Sequence, residues 1–406
     1  MLENYLNIHD VKEIRSRSLI YFGCGAIQKM ADVAQQLSAK GIKKVLVTST
    51  PSAYKVSGAW EPTVQALDAA GIERLLFDKV TPNPETEMID EAVRQAKAFG
   101  AQAVIGIGGG SPIDTAKSAA ILLAYPDQTA ADLYEYKFLP EKALPIVAIN
   151  LTHGTGTEGN RMAVASVLSK QYKPAIACEC IYPTWSIDDP ELMTTLPPKH
   201  ILYTSIDAVN HVVEAATTKC TNPFAITLAR ETISLIAKYL PVAMKDPKDL
   251  TARYNLAYAA LLGGISFDNG FLHLTHALEH PLSSMKPSVT HGLGLSILLP
   301  AVVKNIYPDP ASGQVLADIL SPIVPGLTGC ASEALKAGQG VEKWMADLGA
   351  DKKLQDEGFT ESDIDRLVDL TFTTPSLPVL LSVAPVNADR ALVDSIYRDS
   401  FKPLSK

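Results

Sequence analysis

An α/β domain built on a mostly parallel sheet, followed by an all-helical domain, is the fold class that the sequence predicts. Short β-branched runs alternate with amphipathic helical patterns through the first half. Helical apolar spacing alone continues through the second. At 406 residues the chain exceeds one ordinary hydrophobic core, so two domains are expected. The boundary falls near residue 190, giving an α/β domain over 1–190 and a helical domain over 191–406.

The elements follow in order. KKVLVTST (43–50) reads as a buried strand and SGAWEPTVQALDAAG (57–71) as the helix after it. ERLLFDKV (73–80) is a second strand. PNPETEMIDEAVRQAKAFG (82–100) is a helix with acids in its first turn and Gly100 at its end. AQAVIGIGGG (101–110) is a third strand running into glycines, backed by the helix SPIDTAKSAAILLAY (111–125). LPIVAIN (144–150) is a fourth strand, running into the small-residue loop LTHGTGTEG. Such alternation implies a mostly parallel sheet covered on both faces. After SIDDPELMTTLPPKH (186–200) the pattern changes: YTSIDAVNHVVEAATT, PFAITLARETISLIAKYLPVAMK, LTARYNLAYAALLGGISF and LTHALEHPLSSM all carry helical spacing. The remainder is mostly helical with proline-rich interruptions, and no internal repeat or low-complexity tract occurs.

An apolar content of 47% with 20% charged residues describes a globular chain and excludes a disordered one. The net charge of −8 argues against nucleic acid and anionic membrane as partners. No apolar run approaches the ~20 residues that span a bilayer. The N-terminus, MLENYLNIHDVKEIRSRS, is polar and does not read as a secretory signal. The five cysteines are odd in number and scattered, as expected of free thiols in a reducing cytoplasm.

Six of the eight histidines fall between His200 and His291. Asp207 and His211, four apart on a helix, project from one face. With His276 and His291 they make a candidate metal site, and His280 stands one turn beyond His276. A lone histidine on an apolar helix is more often a packing residue; three with an aspartate in register are not. Gly108, Gly109, Gly110 and Ser111 follow a strand and open a helix, where bare amides and the helix dipole suit a pyrophosphate. Asp114 either caps that helix or holds the loop. The spacing departs from GxGxxG, and alone it is a tight turn. A second loop, with Thr152, Thr155 and Thr157 around Gly154 and Gly156, ends the next strand. Two polar loops at the carboxyl ends of parallel strands favour a phosphate-bearing cofactor.

GGGSPIDTAK (108–117), THGTGTE (152–158), DAVNH (207–211), HALEHPL…HG (276–292) and the PNP turn at 82–84 together resemble the iron-containing, metal-dependent (group III) alcohol dehydrogenases. The likeness covers essentially the whole chain, with the motifs in order. It implies a dehydroquinate synthase-like architecture: a dinucleotide-binding α/β domain, a helical domain, and an active site in the cleft between them. It further implies Asp207, His211, His276 and His291 as metal ligands and His280 beside the nicotinamide. NAD is then held by Ser49, Asn83, Gly108, Gly109, Gly110, Ser111, Asp114, Thr152, Thr155 and Lys173. A homo-oligomer is implied on the same ground. Departures from the family pattern are Ser283, where glycine is usual, His153, where alanine is common, and Asn160 and Arg161 after Glu158. Ten residues separate His280 from His291, one more than is usual. Ser49 stands where many NAD-preferring members carry aspartate, so NADP is not excluded.

Three neutral imidazoles and one carboxylate leave a divalent ion with net charge near +1, suited to polarising an alcohol or aldehyde oxygen. Nitrogen and carboxylate ligands without thiolate suit Fe²⁺ or Zn²⁺; affinity favours Zn²⁺ and the resemblance favours Fe²⁺. The chemistry expected is hydride transfer between a small primary alcohol and nicotinamide C4, with His280 relaying the proton. Two alternatives stand beside it: His280 is the ligand in place of His276, or His273, on the same side of the helix, takes part. His9 and His200 read as structural. If His153 and Arg161 face the cleft, they would recognise an anionic substituent, such as that of a short carboxylated or sulfonated aldehyde. Arg161 is more simply a loop charge or ion-pair partner. Two rival functions remain: a dehydroquinate synthase-like lyase or cyclase using NAD transiently, which needs several basic residues in the cleft, and an inactive scaffold.

Overall fold

The structure is a computed structural model describing residues 12–404. His9 lies outside the described residues. The described residues contain eight strands: β1 (Leu19–Phe22), β2 (Lys44–Ser49), β3 (Glu73–Phe77), β4 (Ala103–Gly108), β5 (Ile146–Asn150), β6 (Met162–Val164), β7 (Ala175–Ala177) and β8 (Trp185–Asp188). Six form one parallel sheet in the order β1-β8-β5-β4-β2-β3, and β6 pairs antiparallel with β7 beside it. The helices of this half are α1 (Met30–Ala39), α2 (Ala53–Val56), α3 (Trp60–Ala69), α4 (Thr86–Phe99), α5 (Gly110–Ala124) and α6 (Ala130–Tyr134).

Successive side chains on a strand point to opposite faces, and both faces are covered. Val45, Val47, Ile105, Ile107, Val147 and Ile149 pack with Met30, Val33 and Leu37 of α1 and Leu67 of α3. Leu46, Val104 and Ile146 pack on the other side against Ile89 and Val93 of α4 and Ala116 and Ala120 of α5. The four strands read from the sequence are present within those spans. Two further sheet strands, β1 and β8, are four residues each, too short to show a period. The helix expected from residue 82 begins at Thr86, because Asn83 takes a left-handed φ of 54° between two prolines. The helix expected over 57–71 runs from Trp60 to Ala69, after a separate short helix, α2, that ends at Val56.

The second half is helical throughout: α7 (Pro198–Thr217), α8 (Pro223–Lys245), α9 (Leu250–Gly270), α10 (Leu274–Met285), α11 (His291–Ile306), α12 (Pro310–Ile319), α13 (Ala334–Asp347), α14 (Ile364–Thr373), α15 (Leu377–Ser382) and α16 (Arg390–Asp399). Ile206, Val209 and Val213 of α7 centre one core with Ile233, Leu256, Leu278, Leu298 and Val302 from the next four helices. Side-chain caps set the starts of α8 and α9: Ala225 N donates to Asn222 Oδ1 at 2.9 Å and Ala252 N to Asp249 Oδ1 at 2.8 Å. The two halves meet where Gly156, at a left-handed φ of 57°, lies against Gly264 of α9. A Cβ on Gly156 would sit 2.7 Å from Gly264 N, so only bare backbone fits. Among the described residues no helix is long and apolar enough to cross a membrane.

Candidate functional site

Helix α7 carries Asp207 and His211 on one face, α10 carries His276 and His280 one turn apart, and α11 opens with His291. Asp207 Oδ1 lies 3.3 Å from His211 Nε2, 3.6 Å from His276 Nε2 and 3.9 Å from His291 Nε2. The last two distances are too long for hydrogen bonds. Asp207 Oδ1 and His276 Nε2 are buried without any hydrogen-bond partner. Buried polar atoms without partners are costly, and these two, with His211 Nε2 and His291 Nε2 beside them, form a cradle for a cation. Asp207, His276 and His291 each bring a donor atom within 4.8 Å of the others.

Two carboxylates behind the cluster aim the imidazoles. Glu214, three residues after His211 on α7, bonds His276 Nδ1, leaving Nε2 turned toward Asp207. Glu279 bonds His291 Nδ1 in the same way. A carboxylate behind a ligating imidazole fixes its tautomer and raises its basicity. Lys173 Nζ is 3.2 Å from Glu279 Oε2 and 2.9 Å from Ser283 Oγ, so Ser283 holds this lysine. Asp207, Glu214, Glu279 and Lys173 are all buried. Three negative charges against one positive leave a deficit that a divalent cation neutralises. Burial alone would raise the Asp207 carboxyl, but the surrounding His211, His276 and His291 hold it at about 2. Against the effect of burial, Glu214 and Asp207 raise His276 to about 9, so the cluster draws positive charge to this point. Metal binding displaces such a proton. The donor set therefore fits Fe²⁺ or Zn²⁺.

Of the alternatives, His273 is committed elsewhere: its Nε2 is 2.9 Å from Thr217 Oγ1 and its Nδ1 accepts from Leu274 N at 2.7 Å. His280 shares the cavity wall with the cluster, its ring 5.7 Å from that of His291 and its Nδ1 unpartnered. Burial, and then the charge of Lys173, push His280 well below the ordinary imidazole value, which leaves it neutral. Exposed His200 is apart from the site.

One cavity of about 610 Å³ joins the cluster to the glycine loop. Asn83, Gly110, Ser111, Asp114, Thr155 and Lys173 line it together with Asp207, His211, His276, His280 and His291. Gly109 and Gly110 are needed because the second loop presses on them: a Cβ on either would stand 2.8 Å from Thr152 Cγ2 or Thr155 Cγ2. Gly108, Gly109 and Thr152 are not among the residues that line the cavity. Ser49 is buried at the end of β2, where its hydroxyl donates to the Ile107 carbonyl at 2.8 Å. Asp114 holds the following loop, accepting from Thr157 Oγ1 at 2.8 Å and from Val164 N at 3.0 Å. Burial raises its carboxyl to about 6.

His153 and Arg161 do not line the cavity. His153 is buried, with Nε2 2.8 Å from an Arg253 nitrogen; burial and then that guanidinium lower it to about 3, so it is neutral. Arg161 is 8% exposed and pairs with Glu179 at 2.6 Å and Asp268 at 3.3 Å. Both side chains are spent within the protein, which corrects their expected place in the cleft. Lys117, Glu214 and Glu279 went unread in the sequence. The spacing of the two glutamates, three residues after His211 and His276, was the available signal.

The outer cavity is apolar, with Ile176, Phe267, Phe271, Leu272, Val379 and Leu380 on its walls. Five non-glycine residues among those described have left-handed backbones, and Asn83, Tyr136, Phe271 and Ser376 of these line this cavity. Sparsely populated backbone conformations concentrate at ligand sites.

The profile of the iron-containing alcohol dehydrogenases matches residues 18–190, and that of the family's C-terminal part matches residues 201–401. The chain is 55% identical over 401 residues to a long-chain primary alcohol dehydrogenase of Thermoanaerobacter ethanolicus, covering 99% of this chain and 100% of that protein. It superposes on the NADH-dependent butanol dehydrogenase A of Thermotoga maritima with a TM-score of 0.86 at 29% identity, over 97% of this chain and 99% of that one. The sulfoacetaldehyde reductase of Bifidobacterium kashiwanohense, solved with NAD⁺, aligns with a TM-score of 0.81 at 25% identity, over 96% and 98% of the two chains. With both halves matched, in order, around one Asp–His cluster and one glycine loop, the chain belongs to the iron-containing alcohol dehydrogenase family.

Proposed function

We propose that this protein is an NAD-linked, iron-dependent dehydrogenase of primary alcohols with long apolar chains, working in either direction between alcohol and aldehyde. The observation that carries the reading is one cavity with the Asp–His cluster at its inner end and apolar walls beyond. The 55% identical long-chain alcohol dehydrogenase supports the same substrate class.

When bound, Fe²⁺ would supply Lewis acidity at the alcohol or carbonyl oxygen and NAD⁺ would serve as the hydride acceptor. Asp207, His211, His276 and His291 would hold the ion, and Glu214 and Glu279 keep two of the imidazoles turned toward its place. His280, neutral and free at Nδ1, carries the alcohol proton between the cavity and water. The N-terminus of α5, at Gly110 and Ser111, offers unsatisfied amides to the pyrophosphate, with Asn83 and Thr155 beside it. The apolar walls keep water from the reacting carbon and hold the alkyl chain. Assembly as a homo-oligomer in the cytoplasm, and a domain boundary near residue 190, belong to the same proposal; sedimentation and limited proteolysis check the first and last of these.

Two further outcomes are expected. Glu214→Gln loosens the aim of His276 and lowers iron affinity about 10- to 100-fold, measured by competition with a chelator. Gly110→Ala sets a methyl against Thr155 and raises the KM for NAD⁺ about tenfold, as an overpacking cost of about 1–3 kcal/mol implies. An anionic aldehyde needs an unspent cation on the cavity wall; Arg161 has two carboxylate partners and Lys173 has Glu279. Arg161→Ala is therefore expected to leave the ratio of activity on anionic to neutral aldehydes unchanged, and a fall in that ratio would restore the anionic reading. The lyase alternative is tested by net NADH formation, which recycling of a transiently reduced cofactor does not give.

A further inference from the structure

The outer end of the cavity is built from both halves of the chain around a single residue. Ala175, in β7, accepts at its carbonyl from the Tyr136 hydroxyl, and its N–H donates to Ser376 Oγ at 3.0 Å. Tyr136 and Ala175 come from the sheet half, and Ser376 comes from the segment just before α15. Tyr136 and Ser376 both hold left-handed backbones, with φ of 57° and 75°, so the chain is bent out of its ordinary range on each side of this link. Two large apolar side chains at the opening stay in solvent although they line the cavity: Tyr136 is 43% exposed and Val379 of α15 is 61% exposed. Behind them the walls are Ile176, Phe271, Leu272 and Leu380. Apolar groups held at the rim of an apolar tunnel, when they could have been turned or replaced at little cost, mark a passage for an apolar ligand.

We infer that Tyr136, Ser376 and Val379, tied across Ala175, form the outer gate of the alcohol channel and set the chain length over which each added methylene still gains binding. This rests on the long-chain reading above. An alkyl chain anchored by its oxygen at the Asp–His cluster extends along Phe271 and Leu272 and passes between Tyr136 and Val379. Each methylene placed inside gains about fourfold in kcat/KM, from about 0.8 kcal/mol of apolar burial. Carbons beyond the gate return to water and gain nothing. A charge at the rim must either be stripped of water by a passing chain or keep the chain out, and both weaken long substrates selectively.

The test measures kcat/KM of the iron-loaded, full-length enzyme for straight-chain primary alcohols from ethanol to decan-1-ol, in the wild type, Val379→Asp and a control, Val242→Asp, at an exposed valine of α8 that does not line the cavity. Both positions are exposed, so neither change burdens folding, and a thermal melt checks this. The wild type is expected to gain with each carbon up to a plateau. Val379→Asp is expected to lower the octan-1-ol to ethanol ratio about tenfold or more and to bring the plateau to a shorter chain. Val242→Asp, which adds the same charge away from the cavity, keeps the wild-type profile. A wild type with no gain from ethanol to octan-1-ol overturns the long-chain reading and the gate together. A rising wild-type profile that Val379→Asp leaves intact overturns the gate alone.

Discussion

Asp207→Ala is expected to lose the bound iron and to lower kcat about 10³-fold, with the KM for NAD⁺ little changed. Asp207 is the only carboxylate in the proposed ligand set, and its Oδ1 sits within 3.9 Å of the Nε2 atoms of His211, His276 and His291. Its removal leaves three imidazoles, two of them buried, facing one another with no carboxylate among them to offset a divalent cation. The loss follows from the several kcal/mol that Lewis-acid polarisation contributes. NAD⁺ binding, carried by the α5 N-terminus and the threonine loop, stands apart from it. Metal content by elemental analysis and NAD⁺ binding by isothermal titration calorimetry separate the two effects. A variant that keeps stoichiometric iron and full activity would show that the cluster is held by other groups.

Lys117→Met is expected to destabilise the protein by about 3–5 kcal/mol and to loosen the loop that joins the two halves. The Lys117 ammonium is fully buried and spends its three protons on three carbonyls, those of Thr157 and Met162 at 2.7 Å and Asn160 at 2.9 Å. Burial pulls it down to about 8, against the raising effect of Asp114, Glu158 and Asp268. One turn away on α5, Asp114 grips the same segment through Thr157 and Val164. Removal of the lysine leaves three buried carbonyls without a donor and Asp114 without its nearest cation, and each such group is costly. Thermal unfolding reads the effect as a fall of roughly 4–6 °C in Tm. A Tm within experimental error of the wild type would mean that the loop finds other donors.

The fold class was legible because buried parallel strands read as continuous β-branched runs, and the second half repeats helical spacing without interruption. Strands β1 and β8 were not, since four residues carry no period and their pairing partners lie far along the chain. The Asp–His cluster was legible from the i, i+4 pair Asp207–His211 and the crowding of histidines that follows. Glu214 and Glu279 were passed over because an acid on a helix faces solvent by default. Only tertiary structure turns these two inward onto His276 and His291. His153 illustrates the opposite limit. Its partner Arg253 is 100 residues away, so nothing local could show that the histidine is buried and its nitrogen taken. The plainer reading of Arg161 as an ion-pair partner matches its contacts with Glu179 and Asp268.

The most direct measurement of the central claim is NADH formation from octan-1-ol and NAD⁺ by protein stripped of metal and reconstituted anaerobically with Fe²⁺. Turnover that appears only with the metal, and exceeds that with ethanol, is the expected result. Stoichiometric iron binding without net NADH formation from any primary alcohol would contradict it.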